Sequence, residues 1–294
     1  MKTILITGGD GFIGRNLRER WAGRCHILSP SHAELDFTDQ AGVEHFFSAH
    51  PVNAVVHCAI KPGHRAATDT SGVLLNDLLM YLHLRRSVVT RDIPLYVLGS
   101  GACYDTRYPI VRASEDDLGI HIPKDETGLA KYLISEDILR SSKTYDLRLF
   151  GVYGPYEAYA IRFISNALCK ALYGLPITLR QDRIFDYVYT EDVAELIWRM
   201  LEVPPAEHAY HVTPDTSVSL LQLAEWVREI TRAKVPIQVA QPGRGLEYTG
   251  SNARLRALYP DFQFTDIREG IRRLADYCRA HLTEIDRERL LTDL

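Results

Sequence analysis

Long apolar runs are missing from this 294-residue chain, and none approaches the roughly 20 residues that a helical membrane span requires. A strong charge of either sign is also missing. The formal net charge is −4, with 34 Lys and Arg against 38 Asp and Glu, which gives no basis for a nucleic-acid partner or an anionic membrane surface. Cysteine is sparse. Cys25, Cys58, Cys103, Cys169 and Cys278 are scattered without a C-x-x-C pair, which excludes a zinc knuckle or a disulfide framework and leaves them as small core residues. There is no internal repeat and no low-complexity tract, and no secretory leader precedes the first apolar segment, so a cytoplasmic protein is expected. The length exceeds one compact core, so a large domain with a smaller appended lobe, or two domains, is expected.

What the chain does have begins at residue 4. The β-branched run Ile4-Leu5-Ile6-Thr7 feeds into Gly8, Gly11 and Gly14, and the amphipathic segment Arg15-Asn16-Leu17-Arg18-Glu19-Arg20-Trp21 follows at once. This predicts strand, tight turn and helix. Glycine leaves no side chain between the backbone and a pyrophosphate, and the N–H groups of a helix start attract the anion. A dinucleotide site over Gly8, Gly11, Phe12, Ile13 and Gly14 is the functional reading, and a merely tight connection is its bland alternative.

Strand-like and helix-like segments alternate after this. Strands are expected at 25–28, 54–58, 95–98, 145–149 and 187–188, and helices at 41–49, 74–90 and 128–142. The pattern implies an α/β protein with a Rossmann-type doubly wound parallel sheet, whose ligands lie beyond the carboxyl ends of the strands. From Gly154-Pro155 the rhythm loosens and Pro176, Pro204-Pro205, Pro214, Pro236, Pro242 and Pro260 interrupt it. The expected division is a dinucleotide-binding domain over 1–154, rejoined by about 184–202, and a smaller substrate-binding lobe over 155–294.

An acidic residue at the end of the second strand would accept hydrogen bonds from an adenosine ribose and repel a 2′-phosphate. The sequence there is Leu28-Ser29-Pro30-Ser31-His32, without a carboxylate, which favours NADP slightly over NAD. Against this, no arginine stands at the turn and Asp10 adds negative charge. Asp36 and Phe37 are candidates for holding the adenine, with a solvated turn as the alternative.

These residues together resemble the extended short-chain dehydrogenase/reductases, the NAD-dependent epimerase/dehydratase group that acts on nucleotide sugars. The resemblance spans essentially the whole chain. It rests on Thr7-Gly8-Gly9-Asp10-Gly11-Phe12-Ile13-Gly14, Val55-Val56-His57-Cys58-Ala59, Asn76, Leu98-Gly99-Ser100-Gly101-Ala102-Cys103-Tyr104 and Arg148-Leu149-Phe150-Gly151-Val152-Tyr153-Gly154-Pro155. Further matches are Phe185-Asp186-Tyr187-Val188-Tyr189-Thr190-Glu191-Asp192-Val193-Ala194 and Ser217-Val218-Ser219-Leu220. Within the group, the GDP-fucose synthase and dTDP-4-dehydrorhamnose reductase branches look most similar. The resemblance implies Cys58 and Ala59 at the cofactor, Asn76 at the substrate, and a catalytic hydroxyl, tyrosine and lysine. Ser100 and Lys131 match the first and third, with Lys131 also on the nicotinamide ribose.

The tyrosine position is Thr127. Its hydroxyl is too weak an acid and too short to stand in for a phenol. Tyr104, Tyr153 or a water could supply the proton instead, or catalysis has been lost while binding persists, or the sequence carries a substitution there. Tyr132 lies about 100° around the helix from Lys131 and is expected to pack. Gly101-Ala102 after Ser100 lack the Asp-Glu pair of the dehydratases, and the cysteine and histidine of the 3,5-epimerising members correspond to Ala102 and Arg162. What remains is reduction of a 4-keto sugar or C4 epimerisation.

Arg162, Arg180, Arg183 and Arg244 are candidates for the nucleotide diphosphate, Arg244 preferred for its neighbours Gly243 and Gly245. A metal is not expected, because His57 and His64 have no third ligand at useful spacing. The resemblance also implies a homodimer, and Leu75, Leu78, Leu79, Leu82, Leu129, Leu133 and Ile134 offer more apolar surface than one helix face needs, with burial inside the monomer as the alternative.

Overall fold

The computed structural model describes residues 1–63, 67–214 and 216–291. The chain begins with β1 (Thr3–Thr7), α1 (Phe12–Arg20), β2 (His26–Leu28), α2 (Gln40–Ala49), β3 (Ala54–His57), α3 (Val73–Val89) and β4 (Leu95–Ser100). It continues through β5 (Ile110–Ala113), α4 (Glu126–Ile138), β6 (Thr144–Leu149), β7 (Gly151–Tyr153), α5 (Phe163–Leu172), β8 (Ile177–Asp182), β9 (Ile184–Tyr189) and α6 (Thr190–Glu202). The remainder is β10 (Ala209–Val212), β11 (Ser217–Ser219), α7 (Leu220–Thr231), β12 (Ile237–Arg244), β13 (Tyr248–Gly250), α8 (Ala253–Leu258) and α9 (Ile267–Ala280). No described helix is long and apolar enough to cross a membrane.

The main sheet has the order β10-β6-β4-β3-β1-β2, all parallel. Strands buried on both faces need apolar side chains at consecutive positions, which Ile4-Leu5-Ile6 and Val55-Val56 supply. Ile4 and Ile6 pack with Leu17, Trp21 and Leu196 on one face, while Leu5 and Val55 pack with Tyr81, Leu84 and Ile134 on the other. The sheet is therefore doubly wound. From β1 the chain steps one way to β2 and the other way to β3, which opens a crevice at their carboxyl ends.

The second lobe carries a sheet of order β11-β9-β13-β5, with β7 also on β9, and a parallel pair of β12 and β8. Its core joins α5, α7 and α9 through Leu168, Leu223 and Leu274. One expectation needs correction. The strand foreseen at 187–188 is β9, which pairs with β7, β11 and β13 in the second lobe rather than extending the main sheet. The return to the main domain is made by α6, whose Trp198 meets Trp21 of α1 edge-on at 5.7 Å, and by β10.

Candidate active site

The turn after β1 is built for close approach. Gly8 has φ +63°, and a Cβ there would lie 2.8 Å from the Ala59 backbone, so only glycine lets this turn lie against the end of β3. A Cβ on Gly14 would meet Gly8 O at 2.3 Å, which holds the first turn of α1 against the loop. Thr7 locks the other side. Its Oγ1 accepts the N–H groups of Cys58 and Ala59, each at 3.1 Å, so its own proton is directed to His57 Nδ1 at 2.8 Å. That proton needs a lone pair on Nδ1, and burial, helped by the Lys131 charge, holds His57 neutral with its pKa down at about 3. His57 is thus a structural residue. His64 lies outside the described residues, and among the described residues no group of three metal-ligating side chains converges.

Asp39, Asp125, Ser219 and Asp266 cap α2, α4, α7 and α9 with their side chains. The N-cap of α1 is Gly11, and no side chain caps it. The helix start therefore turns its N–H groups toward a cleft of about 720 Å³. Gly8, Gly11, Phe12, Ile13 and Gly14 line this cleft, as do Asp36, Phe37, Cys58, Ala59, Asn76 and Arg162. An anionic pyrophosphate fits such a cradle.

The turn after β2 carries more charge than the local sequence suggests. The Glu34 carboxylate folds back to accept the Ser31 N–H at 2.7 Å and the Ser31 hydroxyl at 2.8 Å, so the turn after β2 holds a carboxylate after all. Arg18, a turn and a half into α1, donates to Gly9 O at 3.2 Å and to Asp10 at 2.6 Å, and supplies the cation that the turn itself lacks. Asp36 accepts the Thr38 N–H and hydroxyl, both at 2.8 Å.

Ser100 ends β4, and its Oγ accepts the Ala102 N–H at 3.1 Å. Lys131 is buried on α4, with Nζ 3.1 Å from Leu98 O and close enough to His57, Cys58 and Asp77 to perturb all three. Thr127 lies one helical turn earlier on the same face, against Gly63, whose added Cβ would be 2.5 Å from the threonine hydroxyl. Tyr104 does not reach the cleft. Its hydroxyl is held in the core by Arg148, by His211 Nε2 at 2.6 Å and by Ser114 O at 3.1 Å. Tyr153 is likewise buried, 3.4 Å from Ile267 O. A residue the sequence did not single out meets the Ser100 side chain: Tyr248 of β13, with its hydroxyl 3.4 Å from Ser100 Oγ.

A second cleft of about 770 Å³ opens in the smaller lobe, lined in part by Arg180, Arg183 and Gln181, and it shares Ile161 with the first. Arg183 is partly buried over Phe185, with Nε 2.8 Å from Leu246 O. Arg244 stands apart from this lining, largely exposed and 3.8 Å from Asp182. The close approach that glycine permits here occurs at Gly245, where a Cβ would strike Gln181 and Arg183, so the benefit goes to Arg183 rather than to Arg244.

The model of the NAD dependent epimerase/dehydratase family matches residues 4–213. A probable GDP-L-fucose synthase of Drosophila melanogaster is 21% identical over 92% of this chain and 95% of its own length. An ADP-L-glycero-D-manno-heptose-6-epimerase of Pseudomonas paraeruginosa is 24% identical over 90% and 91%. Among solved structures, the Bordetella bronchiseptica enzyme WbmG in complex with NAD has a TM-score of 0.81 at 20% identity, covering 95% of this chain and 94% of that one. A GDP-L-fucose synthetase from Naegleria fowleri bound to NADP has a TM-score of 0.80 at 14% identity, covering 96% and 94%. With the glycine cradle at the switch point of a doubly wound sheet, the matching family model establishes that this chain belongs to the NAD dependent epimerase/dehydratase family.

Proposed function

We propose that the protein is an NAD(P)-dependent oxidoreductase that reduces a 4-keto nucleotide sugar or epimerises one at C4. The observation that carries this reading is the meeting of two clefts at Ile161, one floored by the glycine cradle and the other bearing Arg180 and Arg183. The first suits a dinucleotide pyrophosphate, the second the diphosphate of a sugar nucleotide. A nicotinamide cofactor in the first cleft supplies or accepts the hydride. The chain's own part is to hold the nicotinamide ribose through Lys131, to present the Ser100 hydroxyl to the sugar oxygen, and to fix the diphosphate with arginine. The Arg18 cation favours NADP and the Glu34 carboxylate favours NAD, so both remain substrates for the titration.

Thr127 supports a second reading, a catalytically silent member that binds cofactor and acts as a sensor. The test is to follow NADPH or NADH fluorescence while GDP-, dTDP-, UDP- and ADP-linked 4-keto-6-deoxyhexoses are added. Consumption of cofactor supports the enzyme. Tight cofactor binding with no consumption and no epimerised product supports the sensor.

We place the protein in the cytoplasm, where five unpaired cysteines suit a reducing compartment. We also propose a homodimer formed through α3 and α4, supported by the exposure of Leu75, Leu82 and Leu133 on those helices, while Ile134 is taken up by the core. A monomer mass in sedimentation at micromolar concentration refutes the pairing.

A further inference from the structure

With threonine at position 127, no phenol stands one helical turn before Lys131 on α4, so a proton donor must come from another position if sugar oxygens are to be protonated. The Tyr104 hydroxyl is engaged by Arg148 and His211 and that of Tyr153 by Ile267 O, not by Ser100. Tyr132 is directed toward Gly119, where an added Cβ would lie 3.7 Å from its hydroxyl. Tyr248 differs from all three. It reaches from the second lobe to the end of β4, and the hydrogen-bond partner of its hydroxyl is Ser100 Oγ at 3.4 Å.

The space for this approach is provided by the sequence. A Cβ on Gly101 would stand 2.6 Å from the Phe150 ring and 2.8 Å from the Tyr248 hydroxyl, so glycine directly after the active-site serine admits both the phenol and the ring packed against it. The ring is clamped by Phe150 at 5.1 Å and Phe185 at 5.7 Å between centroids. Two cations, Arg162 from the wall of the dinucleotide cleft and Arg183 from the second cleft, both act electrostatically on this hydroxyl.

We propose that Tyr248 is the proton donor of this active site, replacing in space the tyrosine that is absent at position 127. This rests on the reductase or epimerase reading above. A reduced nicotinamide held in the first cleft would supply the hydride to the carbonyl carbon of a 4-keto sugar, which would leave the carbonyl electron pair on its oxygen. That oxygen takes the proton from Tyr248. The phenol O–H bond breaks as the sugar O–H bond forms, with Ser100 hydrogen-bonding to the same oxygen. The phenolate left behind is stabilised by Arg162 and Arg183 and is reprotonated from water. Burial raises the proton affinity of Tyr248 and the two arginines oppose that rise, so the phenol is in its protonated, donating form at neutral pH.

The test is Tyr248→Phe, which keeps the ring between Phe150 and Phe185 and removes only the hydroxyl. The kcat for NADPH-dependent reduction of a dTDP- or GDP-linked 4-keto-6-deoxyhexose should fall by about 100-fold or more. NADPH affinity by calorimetry should stay within about twofold of the unmodified protein, so that the loss appears in kcat and not in cofactor binding. Gly101→Ala, which drives a methyl group toward the same hydroxyl, should lower kcat in the same sense. An unchanged kcat in Tyr248→Phe overturns the proposal. So does a fall in kcat that brings an equal fall in NADPH affinity, since the tyrosine would then be a packing residue. If the unmodified protein neither binds NADPH nor turns over any of these sugars, the enzymatic reading fails first and this inference falls with it; a fast Tyr248→Phe variant refutes this inference alone.

Discussion

Gly14→Ala separates the cradle's role in binding from its role in folding. The new Cβ would sit 2.3 Å from Gly8 O and 2.8 Å from Gly9 Cα, and both obstacles are backbone, so the clash is relieved only by moving the loop. Overpacking of this kind costs about 1–3 kcal/mol. Alanine in place of glycine inside α1 returns about 1 kcal/mol of helix propensity, so the net loss of stability is about 0–2 kcal/mol and the domain still folds. Binding suffers more. A displaced Gly8–Gly11 turn misaims the N–H groups at the start of α1, and each charge-assisted hydrogen bond lost to the pyrophosphate is worth about 1.5–3 kcal/mol. Losing one or two, about 1.5–6 kcal/mol, lowers affinity by roughly 10-fold to 10,000-fold, from 1.4 kcal/mol per tenfold. Calorimetric titration with NADPH and NADH, beside urea unfolding of the same samples, reads both quantities. A Gly14→Ala protein that folds and binds either cofactor within twofold of the unmodified protein refutes the cradle.

Lys131→Met should weaken cofactor binding and abolish turnover, while Thr127→Ala should change affinity little; unaltered binding and rate in Lys131→Met would remove the active-site assignment on α4. Thr127→Tyr should gain little activity unless the Gly63 segment shifts, because the threonine hydroxyl already lies against it; a large gain in hydride transfer would show that the segment yields. His57 and His211 are both held at about 3 by burial, below the ordinary histidine value of 6.5, so the unfolded chain binds more protons between these limits. Stability should therefore be full above about pH 6.5 and decline as the pH falls toward 3, by up to about 1.4 kcal/mol per histidine per pH unit; urea midpoints that do not move between pH 7 and pH 5 contradict this. Arg183→Ala should raise the KM for the sugar nucleotide about tenfold, whereas Arg244→Ala should leave it nearly unchanged, and the opposite order in steady-state kinetics would reverse the assignment.

The dinucleotide half of the fold was legible because local sequence decides it. Apolar β-branched strands buried on both faces and a glycine loop at fixed spacing announce β1 and α1 without help from the rest of the chain. The helix expected at 74–90 is α3, Val73–Val89, for the same reason. β10 was not legible. Its four residues include Tyr210 and His211, and His211 is buried only because Glu115 accepts its N–H, Tyr104 meets Nε2 and Ser251 O meets Nδ1. Those partners lie 96, 107 and 40 residues away. β9 misled because its apolar pattern fits either sheet, and only pairing partners distinguish them. Tyr248 was hidden for a similar reason, as 148 residues separate it from Ser100 and nothing in Glu247-Tyr248-Thr249 marks a site. The Glu34 carboxylate at Ser31 could have been foreseen from its spacing of three residues, the interval at which an acidic side chain folds back onto a preceding N–H.

The central claim is that the crevice between β1 and β3 holds a nicotinamide dinucleotide with its reactive end between Lys131 and Ser100. A crystal structure with NADP(H) or NAD(H) bound tests it most directly. The account predicts the pyrophosphate over Gly8, Gly11 and Gly14 at the start of α1, the nicotinamide ribose within hydrogen-bond reach of Lys131 Nζ, and the nicotinamide ring facing the Ser100 and Tyr248 hydroxyls. A dinucleotide found elsewhere, or one in the crevice whose ribose makes no contact with Lys131, would contradict it.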